Sequence, residues 1–499
     1  MNEALAALPG LATAHLQLSL TALGLATLLS LPLGVLAAQR PRLEAAALAV
    51  ASGVQTVPSL ALLAIMVPLL ARIGFLPALI ALTLYGMLPI LRNTVTGLAG
   101  VEPALREAAR GVGMTPGQQL RRVELPLAAP VIVAGIRTAA VWTVGTATLS
   151  TPVGAPSLGN LIFGGLQTRN FASVVVGCVA AALLALALDQ TIALLERGVR
   201  ERDRVRKAVS LALLLALAGW AGGAFAWQRF EAAGGAIRIG AKPFTEQYVL
   251  GELLAGWTER ETGRDAELLQ SLGSTVLFDA LRTGEIDVYV DYSGTLWATI
   301  LGGSGPPPPR AELLVEVTRG LARKYGVQVS ASLGFENTYA LAMRAGRARA
   351  LGIERIGDLT ARAPGLVIGG DYEFFQRAEW RALVTAYGLA FREKRVMDPT
   401  LLYAAAAAGE VDVISAYSTD GRIAALDLVL LEDDRGVIPA YDALVLVGPA
   451  LQARAPEVVE ALGRLAGTID AGAMRRMNGA VDQDGRSPAE VAREFLADR

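Results

Sequence analysis

One cysteine (Cys178), one histidine (His15) and four lysines (Lys207, Lys242, Lys324 and Lys394) are all that a chain of 499 residues offers of these types, although it holds 45 basic side chains. Cys178 lies in an apolar run, so neither an intrachain disulfide nor a thiolate metal cluster is available. A lone histidine excludes multi-histidine zinc sites and leaves no Ser-His-Asp arrangement elsewhere; His15, near the start of an apolar stretch, reads as structural. The chain has no Gly-x-x-x-x-Gly-Lys-Ser/Thr phosphate cradle, so any nucleotide hydrolysis must come from another polypeptide. No nucleophile or acid/base group stands with an orienting partner, and we expect no catalytic residue, no cofactor and no metal ligand. With arginine so dominant, a lysine in an unusual place draws attention.

What is present is hydrophobicity. The apolar fraction is 53% and the mean hydropathy +0.44, high for a wholly soluble chain. Six stretches, at about 15–38, 46–71, 76–98, 128–150, 173–195 and 208–228, approach the roughly 20 residues needed to cross a bilayer. Arg40 and Arg42 follow the first, Arg106, Arg110, Arg121 and Arg122 the third, and "RGVRERDRVRK" the fifth, whereas the alternate loops hold little beyond Arg72 and Arg169. Basic loops stay inside, so the amino terminus and everything after about residue 230 are expected outside. Residues 1–15 contain no Lys or Arg to form a signal-peptide n-region, so the first span is expected to be retained. Residues 1–236 carry a net charge of +7 and the remainder -8, which offers no basic stripe for nucleic acid. "LSLPLG", "VQTVPSLALLA" and "YGMLPIL" place Gly or Pro inside spans, as membrane helices tolerate where neighbours satisfy the freed backbone groups.

The inside loop at 100–127 contains "VEPALREAARGVGMTPGQQLRRVELPL". Its small alanines permit close approach, Gly111 and Gly113 permit a turn, and "TPGQQ" can cap a second short helix. Glu107, Ala108, Ala109 and Gly113, with Leu125-Pro126 before the next span, resemble the loop by which ABC-importer permeases dock on a cytoplasmic ATPase. "GAPSLGNLIFGGL" from Gly154 also resembles these permeases.

From Ala236 the text changes to short strands alternating with helices: "AIRIGAK" and "AELLQ" read as strands, "FTEQYVLGELLAGWTERETG" and "STVLFDALRTG" as helices. This rhythm implies an α/β domain with ligands at the strand ends. "GGSGPPPPRAE" at 302–312 reads as an exposed loop, and the alanine run 404–408 as helix interior. One phrase occurs twice, "GEIDVYVDYS" from Gly284 and "GEVDVISAYS" from Gly409. Each copy ends a helix at glycine and starts a strand whose carboxyl end bears a tyrosine. Tyr292 and Tyr417 then either pack in two cores or face a crevice from two lobes.

"IGAKPFTEQYVLGELLA", "DYSGTLW", "ENTYALAMR", "AYSTDGRI" and "LEDDRGVIPAYDAL" together resemble the substrate-binding proteins of osmoprotectant (glycine betaine, carnitine and choline) ABC importers, over nearly all of 237–499. The resemblance implies a box of four tyrosines around a quaternary ammonium, at Tyr292, Tyr339, Tyr417 and Tyr441. It implies a ligand carboxylate held by Lys242 and Arg377, with Thr295 and Asn337 nearby. Asp291 and Ser293 depart from the family's usual Glu-Tyr-Thr-Gly-Thr text, which bears on fine specificity. A trimethylammonium group has no N–H to donate, so ring faces suit it; a betaine carboxylate needs donors in a desolvated cleft.

The expected fold is two-part: an all-α polytopic membrane permease of about six transmembrane helices (1–207, with the sixth span and linker at 208–235), followed by a two-lobed α/β periplasmic-binding-protein-like (type II) domain at 236–499. The expected partners are a separate ABC ATPase, a second copy of the chain as a homodimer, the lipid bilayer and a small quaternary-amine ligand, with no nucleic acid. The expected location is a prokaryotic cytoplasmic (inner) membrane, multi-pass, with the carboxyl-terminal domain extracytoplasmic. An importer for another small polar solute such as an amino acid is one alternative. A membrane sensor is another, but it needs a cytoplasmic output domain, and the longest inside loop is the one at 100–127.

Overall fold

The computed structural model describes the chain except residues 1, 71, 169, 233–234, 271–273, 304–307, 398 and 499. Arg169 and the centre of the proline-rich loop therefore lie outside the described residues. The chain forms two compact units: Met1–Gly235 with Gln270–Val276, and Ala236–Leu269 with Leu277–Arg499.

The first unit is helical. Its helices are α1 (Asn2–Ala38), α2 (Pro41–Thr56), α3 (Ser59–Leu70), α4 (Phe75–Ala99), α5 (Pro103–Gly111), α6 (Pro116–Gln119), α7 (Leu125–Ala147), α8 (Gly159–Gln167), α9 (Phe171–Arg200) and α10 (Arg204–Ala232). Among the described residues four helices are long and apolar enough to cross a membrane: those at Ala4–Ala38, Phe75–Ala99, Pro116–Val153 and Phe171–Arg200. The stretch expected as the second span, with a proline inside it, forms α2 and α3, a pair bent by 98°. Pro58 explains the break, because a residue before proline is driven from helical to extended backbone, and Val57 sits at φ -73°, ψ 129°. Counted as one broken span, the pair is a fifth crossing. The expected sixth stretch forms α10, part of whose side chains lie outside the described residues.

The centre of this unit is α4, against which α1 and α7 pack. The approach of α7 is close: a Cβ on Gly135 would stand 2.8 Å from the Pro89 carbonyl oxygen and 2.6 Å from Asn93 Cβ. Arg137 of α7 makes a bidentate pair with Asp189 of α9, at 2.5 and 2.9 Å. His15 is fully buried; its Nε2 lies 3.0 Å from the Val144 carbonyl, and Leu158 N–H donates to its Nδ1. The lone histidine thus joins three segments, a structural role.

The second unit contains two five-stranded sheets. Its strands are β1 (Ile237–Gly240), β2 (Ala266–Leu269), β3 (Val288–Tyr292), β4 (Gln328–Glu336), β5 (Tyr339–Arg344), β6 (Val367–Gly370), β7 (Glu393–Val396), β8 (Val413–Tyr417), β9 (Leu428–Leu431) and β10 (Asp442–Val447). Helices α11 (Thr245–Thr262) and α12 (Ser274–Thr283) separate the first three strands. The first lobe is ordered β2-β1-β3-β10-β4 and the second β7-β6-β8-β5-β9. The two orders are the same arrangement, with β1, β3 and β10 corresponding to β6, β8 and β5. In each, two parallel pairings are followed by two antiparallel ones. The chain crosses between lobes twice, at 337–338 and at 432–441.

This correspondence explains the repeated phrase, whose copies run into β3 and β8. Gly284 and Gly409 close the preceding helices at φ +78° and +79°, a conformation that a Cβ disfavours. The following aspartates tie down the neighbouring parallel strand. Asp287 accepts the Arg238 N–H at 2.9 Å, and Asp412 accepts the Val367 N–H at 3.0 Å. The alanine run lies inside helix Pro399–Ala408.

Candidate functional site

The carboxyl end of β8, the start of β5 and the second crossing bring Tyr339, Tyr417 and Tyr441 together, whereas Tyr292, at the carboxyl end of β3, packs in the first-lobe core. Tyr339 and Tyr417 are cross-strand partners in β5 and β8. Their ring centroids are 4.9 Å apart and their hydroxyls 3.1 Å apart. Tyr441, from the second crossing, meets Tyr339 edge-on at 6.3 Å, and Phe374 tilts against it at 5.5 Å. Tyr417 is 38% exposed, while Tyr292, Tyr339 and Tyr441 are buried. Tyr292, the last residue of β3, stacks on Phe244 and receives a hydrogen bond from Gln247 Nε2 at 3.1 Å.

Both cations expected to meet a ligand carboxylate already have internal acids. Lys242 is buried and pairs with Asp291 at 2.5 Å, its ammonium 5.5 Å from the Tyr292 ring centroid. Asp291 also accepts the Tyr289 hydroxyl at 2.8 Å and the Tyr292 N–H at 2.8 Å. The Asp-for-Glu departure in "DYSGT" therefore sits where the lysine is held. Arg377 stacks 5.0 Å from the Tyr339 centroid and donates to Glu379 at 2.8 and 3.2 Å and to the Tyr441 hydroxyl at 3.2 Å. The Tyr441 hydroxyl in turn donates to Glu379. Burial opposes the charges on Arg377 and Glu379, yet their mutual hydrogen bonds prevail: the guanidinium pKa moves up and the carboxyl pKa down.

Thr295 is half-buried in the first turn after β3. Asn337, at the first crossing, donates from Nδ2 to Glu246 at 2.9 Å, and its N–H reaches the Tyr441 carbonyl at 3.0 Å. Sequence reasoning missed Glu246 and Glu379. Glu246 stands in "FTEQ", in the first turn of α11, and is fully buried; burial raises its pKa against the hydrogen bonds it accepts. An acid four residues after Lys242, at a helix start, was the available signal. Its partners were not visible, because they lie 46, 91, 173 and 232 positions away.

In the first unit, Glu107 and Ala108 are exposed on α5, as are Leu105 on the same helix and Val112 just after it. Ala109 is buried at 4% exposure, so of the residues expected to face a docking partner it alone turns inward. Gly113 adopts φ +80° between α5 and α6. Thr115 and Gln118 form a reciprocal capping box at the start of α6.

Two family models match the chain. Residues 235–498 match the substrate binding domain of the ABC-type glycine betaine transport system. Residues 30–201 match the binding-protein-dependent transport system inner membrane component. The ergothioneine transport permease/ergothioneine binding protein EgtU of Helicobacter pylori is 31% identical over 480 residues, covering 93% of this chain and 85% of that one. The choline transport system permease protein OpuBB of Bacillus subtilis is 44% identical over 183 residues, 37% of this chain and 84% of its own. The carnitine transport binding protein OpuCC of Listeria monocytogenes is 31% identical over 264 residues, 52% of this chain and 85% of its own.

Proposed function

We propose a function from the premise that this chain belongs to the ABC importers of the glycine betaine, carnitine and choline type, with permease and substrate-binding domain fused in one polypeptide. The multi-pass half lies in the inner membrane and the binding half on its outer face. A separate ATPase docks on the α5–α6 loop through Glu107 and Ala108, with Gly113 setting the turn, and two copies of the chain form the pathway. The chain itself performs no covalent step. Its two lobes close on a quaternary ammonium, whose charge rests against the faces of Tyr292, Tyr339, Tyr417 and Tyr441.

The observation that carries this reading is the convergence of Tyr339, Tyr417 and Tyr441, with centroids 4.9 and 6.3 Å apart, around a ring that already holds a guanidinium on its face. With Lys242 and Arg377 paired internally, the ammonium head is the part of the ligand the site is built for. Tethering the receptor keeps it at high effective concentration beside its channel.

Relatives such as the Listeria carnitine-binding protein are separate chains of similar extent, so residues 236–499 suit study alone. Calorimetric titration of that fragment with glycine betaine, choline, ergothioneine and proline tests the substrate. Ergothioneine enters because the Helicobacter relative shares the fused organisation and is named for it. Binding of one or more trimethylammonium compounds, weakened in Tyr417→Ala, is expected. Proline binding without any response to the others would overturn the substrate class and spare the transporter.

A further inference from the structure

The carboxylate of Glu246 is the meeting point of three parts of the binding unit. Its Oε1 accepts the Tyr292 hydroxyl at 2.5 Å and Asn337 Nδ2 at 2.9 Å. Its Oε2 accepts the Thr419 hydroxyl and Asn478 Nδ2, the latter at 3.2 Å. Tyr292 ends β3 and stacks on Phe244, Asn337 belongs to the first crossing, and Asn478 to first-lobe helix Ala471–Asp482. Thr419 belongs to the second lobe, in the loop after β8.

The loop bearing Thr419 is seated closely on the first lobe. Asn478 Nδ2 also donates to the Thr419 carbonyl at 2.8 Å, and Gln483 reaches the Gly421 carbonyl. A Cβ on Gly421 would stand 2.6 Å from Gly479 Cα, so the two backbones touch. Thr419 is 1% exposed and Glu246 3%.

The chemistry suits a carboxyl group here. Four partners converge in pairs on two oxygens, and a carboxylate can accept from all four, with one asparagine amide on each oxygen. Glutamine would turn an NH2 group against one of the asparagine amides. The asparagines meet a cost for this orientation: Asn337 Oδ1 and Asn478 Oδ1 are buried without a hydrogen-bond partner among the described residues. An arrangement that leaves two acceptors unsatisfied to point two donors at one acid indicates that the acid organises the group.

We propose that Glu246 is a positioning residue for the ligand cleft, its one carboxylate fixing both the Tyr292 ring and, through Thr419, the angle between the lobes. Ring placement and lobe closure are thereby one event, since a second lobe displaced from Thr419's position loosens the acid that holds Tyr292. The ligand consequence rests on the substrate reading above; the lobe-angle consequence does not.

The test uses the full chain in lipid nanodiscs, with Cys178→Ala and nitroxides at Ala311→Cys in the first lobe and Arg349→Cys in the second, both exposed positions. Thr419→Val removes one hydroxyl and keeps the side-chain volume, Thr419→Ser restores the hydroxyl, and Glu246→Gln keeps the shape of the acid. Loss of a hydrogen bond to a charged group corresponds to about a 10- to 100-fold change. Thr419→Val and Glu246→Gln are expected to broaden the interlobe distance distribution and weaken choline or glycine betaine binding about 10-fold or more, with Thr419→Ser close to wild type. Unchanged distances in Thr419→Val overturn the proposal, whether or not affinity falls. If the unsubstituted chain binds no quaternary amine, the substrate reading fails, and the ligand-free distance distributions still decide the role of Glu246.

Discussion

Replacing Asp291 by asparagine isolates the burial of Lys242. The two side chains are 5% and 2% exposed, with nitrogen and oxygen 2.5 Å apart. At an effective dielectric constant near 20 their attraction is on the order of 6 kcal/mol, before the desolvation of both ions is subtracted. Removing one partner leaves the other charged in a site that water does not reach, which costs about 3–5 kcal/mol. A binding unit of this size loses roughly 2–4 °C per kcal/mol, so Asp291→Asn should lower the melting midpoint by about 6–20 °C. Urea unfolding of residues 236–499, followed through Trp257, Trp297 and Trp380, measures the free energy directly. Lys242→Met added to Asp291→Asn should recover most of the loss, because the stranded ammonium is gone. A single variant within about 1 kcal/mol of wild type would refute the reasoning, far below the cost expected for a buried unpaired charge. In the fraction that stays folded, the released lysine should shift preference toward carboxylated ligands relative to choline.

Three further outcomes follow from the geometry. Tyr417→Ala should weaken trimethylammonium binding about 3- to 30-fold, in keeping with the loss of one cation–π contact, while Tyr417→Phe retains most of the affinity; calorimetry distinguishes them. Because Arg377 and Tyr441 hold the Glu379 carboxyl below its ordinary pKa, the pair contributes stability that is present above the unfolded-state carboxyl pKa and lost as pH falls through the lower folded value. Acid titration of unfolding should therefore show a steeper decline in the wild type than in Glu379→Gln, and equal slopes would refute the pairing. In the membrane half, Gly135→Val should abolish assembly of the α4–α7 contact, since the added carbons meet the Pro89 carbonyl and Asn93 Cβ; loss of monodisperse protein in size-exclusion chromatography, with Gly145→Val as the open-site control, checks it.

Much of this architecture was legible because it is written in local periodicity. Apolar runs of span length, basic loops at alternate breaks and the change of rhythm at Ala236 need only near neighbours to be read. The proline inside the second span was equally legible, while the size of its bend was not, because the hydropathy continues across Val57-Pro58. At the site, the tyrosines were reachable through the repeated phrase, because corresponding strands of two like sheets demand like text. The charge state of the cleft was not reachable. Whether Lys242 meets a ligand or Asp291 depends on a contact 49 residues distant, and Glu246 depends on one 232 residues distant. Side-chain pairing across such separations is a property of the folded packing and leaves no periodic trace.

The position of β10 has a consequence for biogenesis. This strand lies between β3 and β4, yet it is made after the whole second lobe. The emerging chain can complete the β5–β9 sheet as one continuous stretch, whereas the earlier β1–β4 stretch stays open along its middle until residues 442–447 arrive. The half translated first is thus the half finished last, and a stop codon shortly before Asp442 should leave a folded later lobe attached to an earlier one whose central strands have an unpaired edge for chaperones and proteases to find.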